Sequence, residues 1–120
     1  HDCSEGGLGV SLAEMAFSGG LGMELDFKKV FYKQIHSPQP TAHSKRDDFI
    51  LFSESNTRFI VEINPQDSKK FENIMKGLPF GLAGEITSDK NFIVRGLNGG
   101  IVIKAGIGEL KEAWQAPLRW

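Results

Sequence analysis

Two short polar stretches hold the residues whose types and spacing could support ligand chemistry. The first opens a predicted helix with Ser4, Glu5, Gly6 and Gly7. Free backbone N–H groups and the helix dipole favour an anion there, and glycines let a phosphate approach the backbone closely. Asp2 and Glu5 would repel a bare phosphate, although either could hold a bridging metal ion. The same residues fit a capped helix, with Ser4 as the N-cap and the glycines permitting a tight turn.

The second polar stretch is a loop between two predicted strands. Its candidate ligand-contacting side chains can all donate or accept hydrogen bonds, and they are Ser53, Glu54, Ser55, Asn56 and Arg58. A loop held by a rigid scaffold is a common location for a binding site. It could equally be a hairpin loop whose Ser and Asn side chains bond to its own backbone, with Arg58 paired to Glu54.

The remaining reactive side chains give weaker signals. His1, His36 and His43 lack metal-ligand spacing, so we expect solvated histidines and no metal site. Cys3 lies near a helix N-terminus, which would lower the pKa of its thiol, but acidic neighbours oppose this, and we expect no nucleophile. The glycine-rich stretches 96–100 and 106–108 lack the lysine or strand context of a nucleotide loop and indicate turns.

Composition and charge are typical of one globular domain, here residues 1–120. The chain is 40% hydrophobic and 24% charged, with a net charge of −1, so nothing favours a nucleic-acid or membrane partner. Its single cysteine cannot form an internal disulfide, which fits a reducing cytoplasm. The chain begins without methionine, and a helix starts a few residues later. We therefore expect a domain excised from a longer chain.

Hydrophobic periodicity and turn signals predict the elements that position these residues. Helices are predicted at 5–17, from Asn64-Pro65 to Gly77, and at 108–115. The helix at 5–17 is apolar on two faces and should pack on more than one side. Strands are predicted at 23–27, 49–53, 58–63, 80–86, 92–97 and 100–105. Residues 30–35 could be a short helix or turn, and 36–48 a polar surface loop. Asn98-Gly99 is a strong hairpin signal. The order predicts an α+β fold, a mainly antiparallel or mixed sheet covered by helices.

Four segments resemble those of a known enzyme family. They are HDCSEGGL at 1–8, AEMA at 13–16, LFSESNTRF at 51–59, and EAW at 112–114 with Pro117-Leu118. Together they are similar to the last domain of the phosphoribosylformylglycinamidine synthases, in the aminoimidazole ribonucleotide synthetase superfamily. The resemblance covers essentially the whole chain and implies the fold of that superfamily's C-terminal domain.

The resemblance implies a ligase of purine biosynthesis. In that family ATP activates the amide oxygen of formylglycinamide ribonucleotide, and glutamine-derived ammonia replaces it. Two pairs of ATP-binding and C-terminal domains lie in tandem, and this chain would be the second C-terminal domain. Its partners would be the other domains, a glutaminase subunit and a small companion subunit. The ATP, magnesium and catalytic motifs lie in those other domains. The resemblance therefore implies no catalytic residue and no bound cofactor here, and a domain that is structural and inactive alone.

The resemblance also assigns a role to the loop at Ser53–Arg58, which is called the polar loop below. In the first pair a Ser-Glu-Ser-Gln loop helps to bind the ribonucleotide, and 53–56 would be its equivalent, with Asn56 in place of Gln. The helix start would be a family signature and structural cap, and the domain would line a vestigial nucleotide site. Two other interpretations are open: a module that docks the glutaminase or the small subunit through a sheet edge or the polar loop, and the same domain from a relative in hydrogenase maturation or selenophosphate synthesis.

Overall fold

The computed structural model describes residues 1–30 and 46–119. Within them, four α-helices and four strands follow one another along the chain, with two short 3-10 turns at Pro65–Asp67 and Ala116–Leu118. The elements are α1 (Gly7–Gly19), β1 (Gly22–Asp26), α2 (Asp47–Phe52), α3 (Ser68–Ile74), β2 (Gly84–Thr87), β3 (Asn91–Arg95), β4 (Ile101–Gly106) and α4 (Ile107–Gln115).

The four strands form one mixed sheet in the order β2-β1-β3-β4. Strands β1 and β3 are parallel, and the two outer pairings are antiparallel. The β3–β4 hairpin turns at Asn98-Gly99 as predicted, and Gly99 adopts a φ of 83° that suits glycine. The predicted α+β class with a mainly antiparallel or mixed sheet is confirmed.

The core lies between one face of this sheet and the helices. Alternate residues of the two central strands, such as Leu25 and Val94, are buried on that face. Leu8, Leu12 and Ala16 of α1 are buried with them. Helix α1 contacts α2, α4 and β1, so the prediction that it packs on more than one side is confirmed.

Two predicted strands are wrong, and both lie beside the polar loop. Residues 49–53 belong mostly to helix α2, whose first turn carries Asp47 and Asp48, because carboxylates there favour a helix start. Residues 58–63 form only an isolated antiparallel bridge, between Asp2 and Phe59. The bridge is flanked by the Cys3 N–H donating to the Arg58 carbonyl at 2.8 Å. One bridge gives too few ladder hydrogen bonds to make a strand.

The predicted helix termini are confirmed in part. Ser4 is not the N-cap of α1, because Gly6 takes that position in a left-handed conformation without a side-chain cap. Gly20 ends α1 in a left-handed conformation, and its N–H donates to the Ala16 carbonyl. Asn64 Oδ1 accepts from the Gln66 N–H at 2.9 Å, and Pro65 follows it, so the predicted helix start is confirmed.

Other predictions fall partly outside the described residues. Of the predicted loop at 36–48, residues 47 and 48 belong to α2 and residue 46 precedes it, while 36–45, with His36 and His43, lie outside. Residues 31–35 lie outside as well. No helix within the described ranges is long and apolar enough to cross a membrane.

Candidate functional site

The two polar stretches meet where the N-terminus of α1 faces the C-terminal end of α2. The Gly6 N–H donates to Glu54 Oε1 at 2.9 Å, although the residues are 48 positions apart. A helix N-terminus attracts an anion, and here a carboxylate of the same chain takes that position. A phosphate bound there would have to displace Glu54.

Gly7 lets the two helix ends approach at backbone distance. Its φ is 63°, and a Cβ on it would lie 2.8 Å from the Ser53 carbonyl oxygen and 2.9 Å from the Leu51 carbonyl oxygen. Both oxygens belong to the backbone and cannot move aside as a flexible side chain would. The glycine is therefore required for packing, and this favours a structural role for the glycines over a phosphate cradle, although Ser4 is not the cap.

Arg58 is held by the end of α2, not by Glu54. Its Nη1 donates to the Ile50 carbonyl oxygen at 3.1 Å and lies 3.5 Å from Ser53 Oγ. A guanidinium at a helix C-terminus satisfies free carbonyls and complements the helix dipole. The alternative in which Arg58 pairs with Glu54 is not found, since the ion pairs within 1–30 and 46–119 do not include it.

The outer part of the loop presents its polar groups to solvent. Ser55, Asn56 and Thr57 are exposed. Thr57 has a φ of 61°, a left-handed conformation that is unusual for a β-branched residue. Its hydroxyl donates to the Asn56 carbonyl at 2.6 Å. The loop therefore splits into an inner part bound to the helix ends and an outer part free to meet a ligand or another surface.

The structure removes Cys3 from the candidate nucleophiles. The thiol is buried, and burial raises its pKa above the ordinary value. The hydrogen bond with Ser11 and the charge of Arg58 offset that rise only in part. A reactive cysteine needs an accessible thiolate. Cys3 is thus a core residue, beside the buried Ser11 that the sequence did not single out.

His1 is exposed, in agreement with the expectation of a solvated side chain, and it is also paired. Its Nε2 lies 2.8 Å from Glu14 Oε2, and the other oxygen of Glu14 accepts from Trp114 Nε1 at 2.9 Å. Glu14 thus joins the N-terminal segment, α1 and α4. Within 1–30 and 46–119, no group of three or more His, Cys, Asp or Glu side chains could hold a metal ion.

Two open surface clefts lie away from the polar loop. One, of about 560 Å³, is bordered by Lys90 and Lys104 near the start of α4. The other, of about 470 Å³, lies between α1 and α4 beside Phe17 and Trp114. Neither is lined by a residue of the Ser53–Arg58 loop, in which residues 54–57 are exposed.

Comparison with known proteins gives a consistent match. The family model described as AIR synthase related protein, C-terminal domain, matches residues 1–96. A phosphoribosylformylglycinamidine synthase subunit PurL from Alkaliphilus metalliredigens is 33% identical over 99% of this chain, which spans only 14% of that protein's length.

Solved structures agree in fold. T. maritima PurL complexed with ATP matches 92% of this chain at 25% identity with a TM-score of 0.70, and the match is 18% of that longer chain. T. maritima PurL complexed with FGAR matches 92% of this chain at 25% identity with a TM-score of 0.72, and the match is 17% of that chain. The chain therefore belongs to the family of C-terminal domains of AIR synthase related proteins.

Proposed function

We propose that this chain is the C-terminal domain, residues 1–120, of a longer phosphoribosylformylglycinamidine synthase. The observation that carries the proposal is the 33% identity to a PurL subunit over 99% of the chain. A match that includes both polar stretches favours this enzyme over relatives in hydrogenase maturation or selenophosphate synthesis. The complete enzyme would convert formylglycinamide ribonucleotide, ATP and glutamine-derived ammonia to formylglycinamidine ribonucleotide.

ATP and magnesium would be held by other domains of that enzyme. The proposal is supported by Glu54, which bonds to the N-terminus of α1 at the position where a phosphate would otherwise bind. The contribution of this chain is then positional. Its rigid core would hold the polar loop at a fixed place next to its neighbours, and catalysis would need no side chain from it.

Within the loop we assign two roles. Ser55 and Asn56 are the exposed groups suited to contact a ribonucleotide or a vestigial nucleotide site. The inner residues fix the loop: Ser53, Glu54 and Arg58 bond to the helix ends, and Gly6 and Gly7 provide the backbone they meet. Ser4 contributes a backbone carbonyl that accepts from the Gly7 N–H at 3.2 Å.

Calorimetric titration of the 120-residue chain tests this division. ATP with magnesium, and formylglycinamide ribonucleotide, should each bind no more tightly than about millimolar, because an isolated exposed loop supplies few contacts. No turnover should follow when both are present with ammonia. Tight binding of either ligand, or product formation by the chain alone, would overturn the proposed role.

A second candidate function is the docking of partner subunits. Strand β4 is an edge of the sheet, and Ile101 and Val102 on it are half exposed, which suits strand addition by another protein. The partners would be a cytoplasmic glutaminase and a small companion subunit. Size-exclusion chromatography of the chain with each subunit separates the two functions: co-elution supports docking, and separate elution counts against it.

A further inference from the structure

The turn of the β3–β4 hairpin contains a dipeptide with a reactivity of its own. The chain has five asparagines, and Asn98 is the one that precedes a glycine. The side-chain amide of an asparagine can be attacked by the backbone nitrogen of the next residue, and glycine hinders this attack least because it has no Cβ. Asn98 is therefore the asparagine that is chemically most prone to lose its amide group.

The structure leaves the side chain of Asn98 open to water. The residue is exposed, and its side chain makes no hydrogen bond with any of the residues that the structure describes. The amide carbon is thus accessible to a nitrogen that attacks it and to the water that must react afterwards.

The attacking nitrogen, in contrast, is held by the turn. The Gly99 N–H donates to the Gly96 carbonyl oxygen at 2.8 Å, and the Gly96 N–H donates to the Gly100 carbonyl oxygen at 2.8 Å. The Gly99 nitrogen must leave its hydrogen bond and lose its proton before it can bond to the side chain of Asn98. The closed turn therefore protects an amide that is otherwise exposed.

Asp47 of α2 holds the turn in this closed form. Its Oδ1 accepts from the Leu97 N–H at 2.8 Å. Its Oδ2 would lie 2.5 Å from a Cβ on Gly96, which is buried, so the carboxylate lies directly against the backbone of the turn. Two successive turn residues are thus fixed against α2, immediately before the reactive pair.

We propose that Asn98 is a modification site, which reacts with water to give aspartate and isoaspartate when the turn opens, and that Asp47 limits how often it opens. In the open turn the Gly99 nitrogen gives its proton to hydroxide and bonds to Cγ of Asn98. The Cγ–Nδ2 bond breaks, the leaving nitrogen takes up a proton, and ammonia departs from a five-membered imide. Water then opens the imide at Cγ to give aspartate, or at the backbone carbonyl to give isoaspartate.

Isoaspartate would weaken the contact between the hairpin and α2. The main chain then runs through the former side chain, so the turn gains one methylene group and one negative charge. The added length displaces the turn from Asp47, and the new carboxylate is repelled by it. Because α2 carries the polar loop at its other end, the modification would loosen the loop together with the hairpin.

Peptide mass spectrometry of the chain after incubation in mildly alkaline buffer tests the proposal. Amide loss should occur at Asn98 before any other asparagine, and electron-transfer fragmentation should show isoaspartate beside aspartate. In urea, where no turn protects the amide, the loss should be at least about tenfold faster, since the hydrogen bonds of the turn are broken. Equal rates in the folded and unfolded chain, or a folded chain that reacts first at another asparagine, would overturn the proposal.

Two variants of α2 test the part played by Asp47. Asp47→Ala should speed amide loss at Asn98 in the folded chain by roughly three- to tenfold, because the Leu97 N–H loses its acceptor, and should leave the rate in urea unchanged. Asp48→Ala removes an exposed carboxylate from the same helix turn and should speed the loss less. A folded Asp47→Ala chain that reacts at the parental rate would refute the role of Asp47.

Circular dichroism at the incubation temperature shows whether each variant is folded. If Asp47→Ala is not, Asp47→Asn keeps an oxygen acceptor at the same reach but loses the charge, and its rate should lie between the parental rate and the rate in urea. A rate equal to that in urea from a folded Asp47→Asn chain would contradict protection by the turn. Asn98→Gln is the chemical control: its longer side chain must close a six-membered ring, so amide loss from the turn should nearly stop.

Discussion

At the N-terminus of α1, the Gly6 N–H bonds to a carboxylate that lies 48 residues further along the chain. The sequence marked both groups as candidates but could not show that they meet, because nothing local links them. The contact gives a role to both groups. The left-handed glycines let the start of α1 approach α2, and the Glu54 carboxylate lies at the helix N-terminus, where an anion is favoured.

Substitution of Gly7 tests the close approach. Gly7→Ala should lower the free energy of unfolding by at least about 2 kcal/mol, because alanine is strained at a φ of 63° and its Cβ would meet two backbone oxygens. Gly19→Ala, in the same helix with nothing within 4 Å, should be neutral or slightly stabilising. Chemical denaturation measures both. Equal effects would mean that the helix ends are not in contact.

Glu54 should stabilise the fold through its hydrogen bond with the Gly6 N–H. Glu54→Ala should lower stability by about 0.5–1.5 kcal/mol, the usual effect of losing a helix N-terminal acceptor. Glu54→Gln keeps an acceptor at the same reach and should lose less. If the alanine variant is as stable as the parent chain in urea denaturation, the carboxylate does not cap α1.

The thiol of Cys3 gives a prediction with a definite pH dependence. Because its pKa is raised in the folded state, the folded protein keeps the proton where the unfolded chain loses it. Stability therefore falls as pH rises past the unfolded thiol pKa of about 8.5. This decline should be weaker in Cys3→Ala.

Ellman's reagent at pH 8 should label the native thiol at least about tenfold more slowly than the unfolded one; equal rates would place Cys3 at the surface.

At the scale of elements, the sequence predicted those whose signals are local. Asn98-Gly99 predicted the hairpin, and Asn64-Pro65 predicted a helix start. Long periodic runs predicted α1 and α4. Helix α2 was misassigned, because a run of four apolar residues is compatible with either a buried strand or a helix. Its helical state is favoured by a contact that sequence does not reveal: Asp47 Oδ1 accepts from the Leu97 N–H at 2.8 Å.

That contact predicts unequal effects for two adjacent carboxylates. Asp47→Ala should lower stability by about 1–2 kcal/mol, since it leaves the Leu97 N–H without its partner. Asp48→Ala removes an exposed pair with Arg46 and an exposed acceptor for the Phe49 N–H, and it should lower the unfolding midpoint less than Asp47→Ala does. Both changes remove one charge from the same helix turn, so a difference isolates the Asp47 bond. Identical midpoints would show that the hairpin does not hold α2.

At the scale of the whole molecule, the burial pattern divides the chain in two. Among the described residues, one part is a core of sheet and helices. The other comprises the polar loop, residues 64–82 and the edge strand β4, which present exposed polar and apolar groups. A domain that serves a larger enzyme needs both, since the first keeps the second in place. The family membership agrees with this division, while the activity of the larger enzyme is a proposal that follows from it.

Turnover by the complete gene product tests whether this chain is one inactive domain of a phosphoribosylformylglycinamidine synthase. Supplied with formylglycinamide ribonucleotide, ATP, magnesium and ammonia, it should form formylglycinamidine ribonucleotide and ADP, whereas the 120-residue chain under the same conditions should form none. Product formation by the short chain would show that the domain is active alone, and its absence with a folded complete protein would show that the chain belongs to a different enzyme.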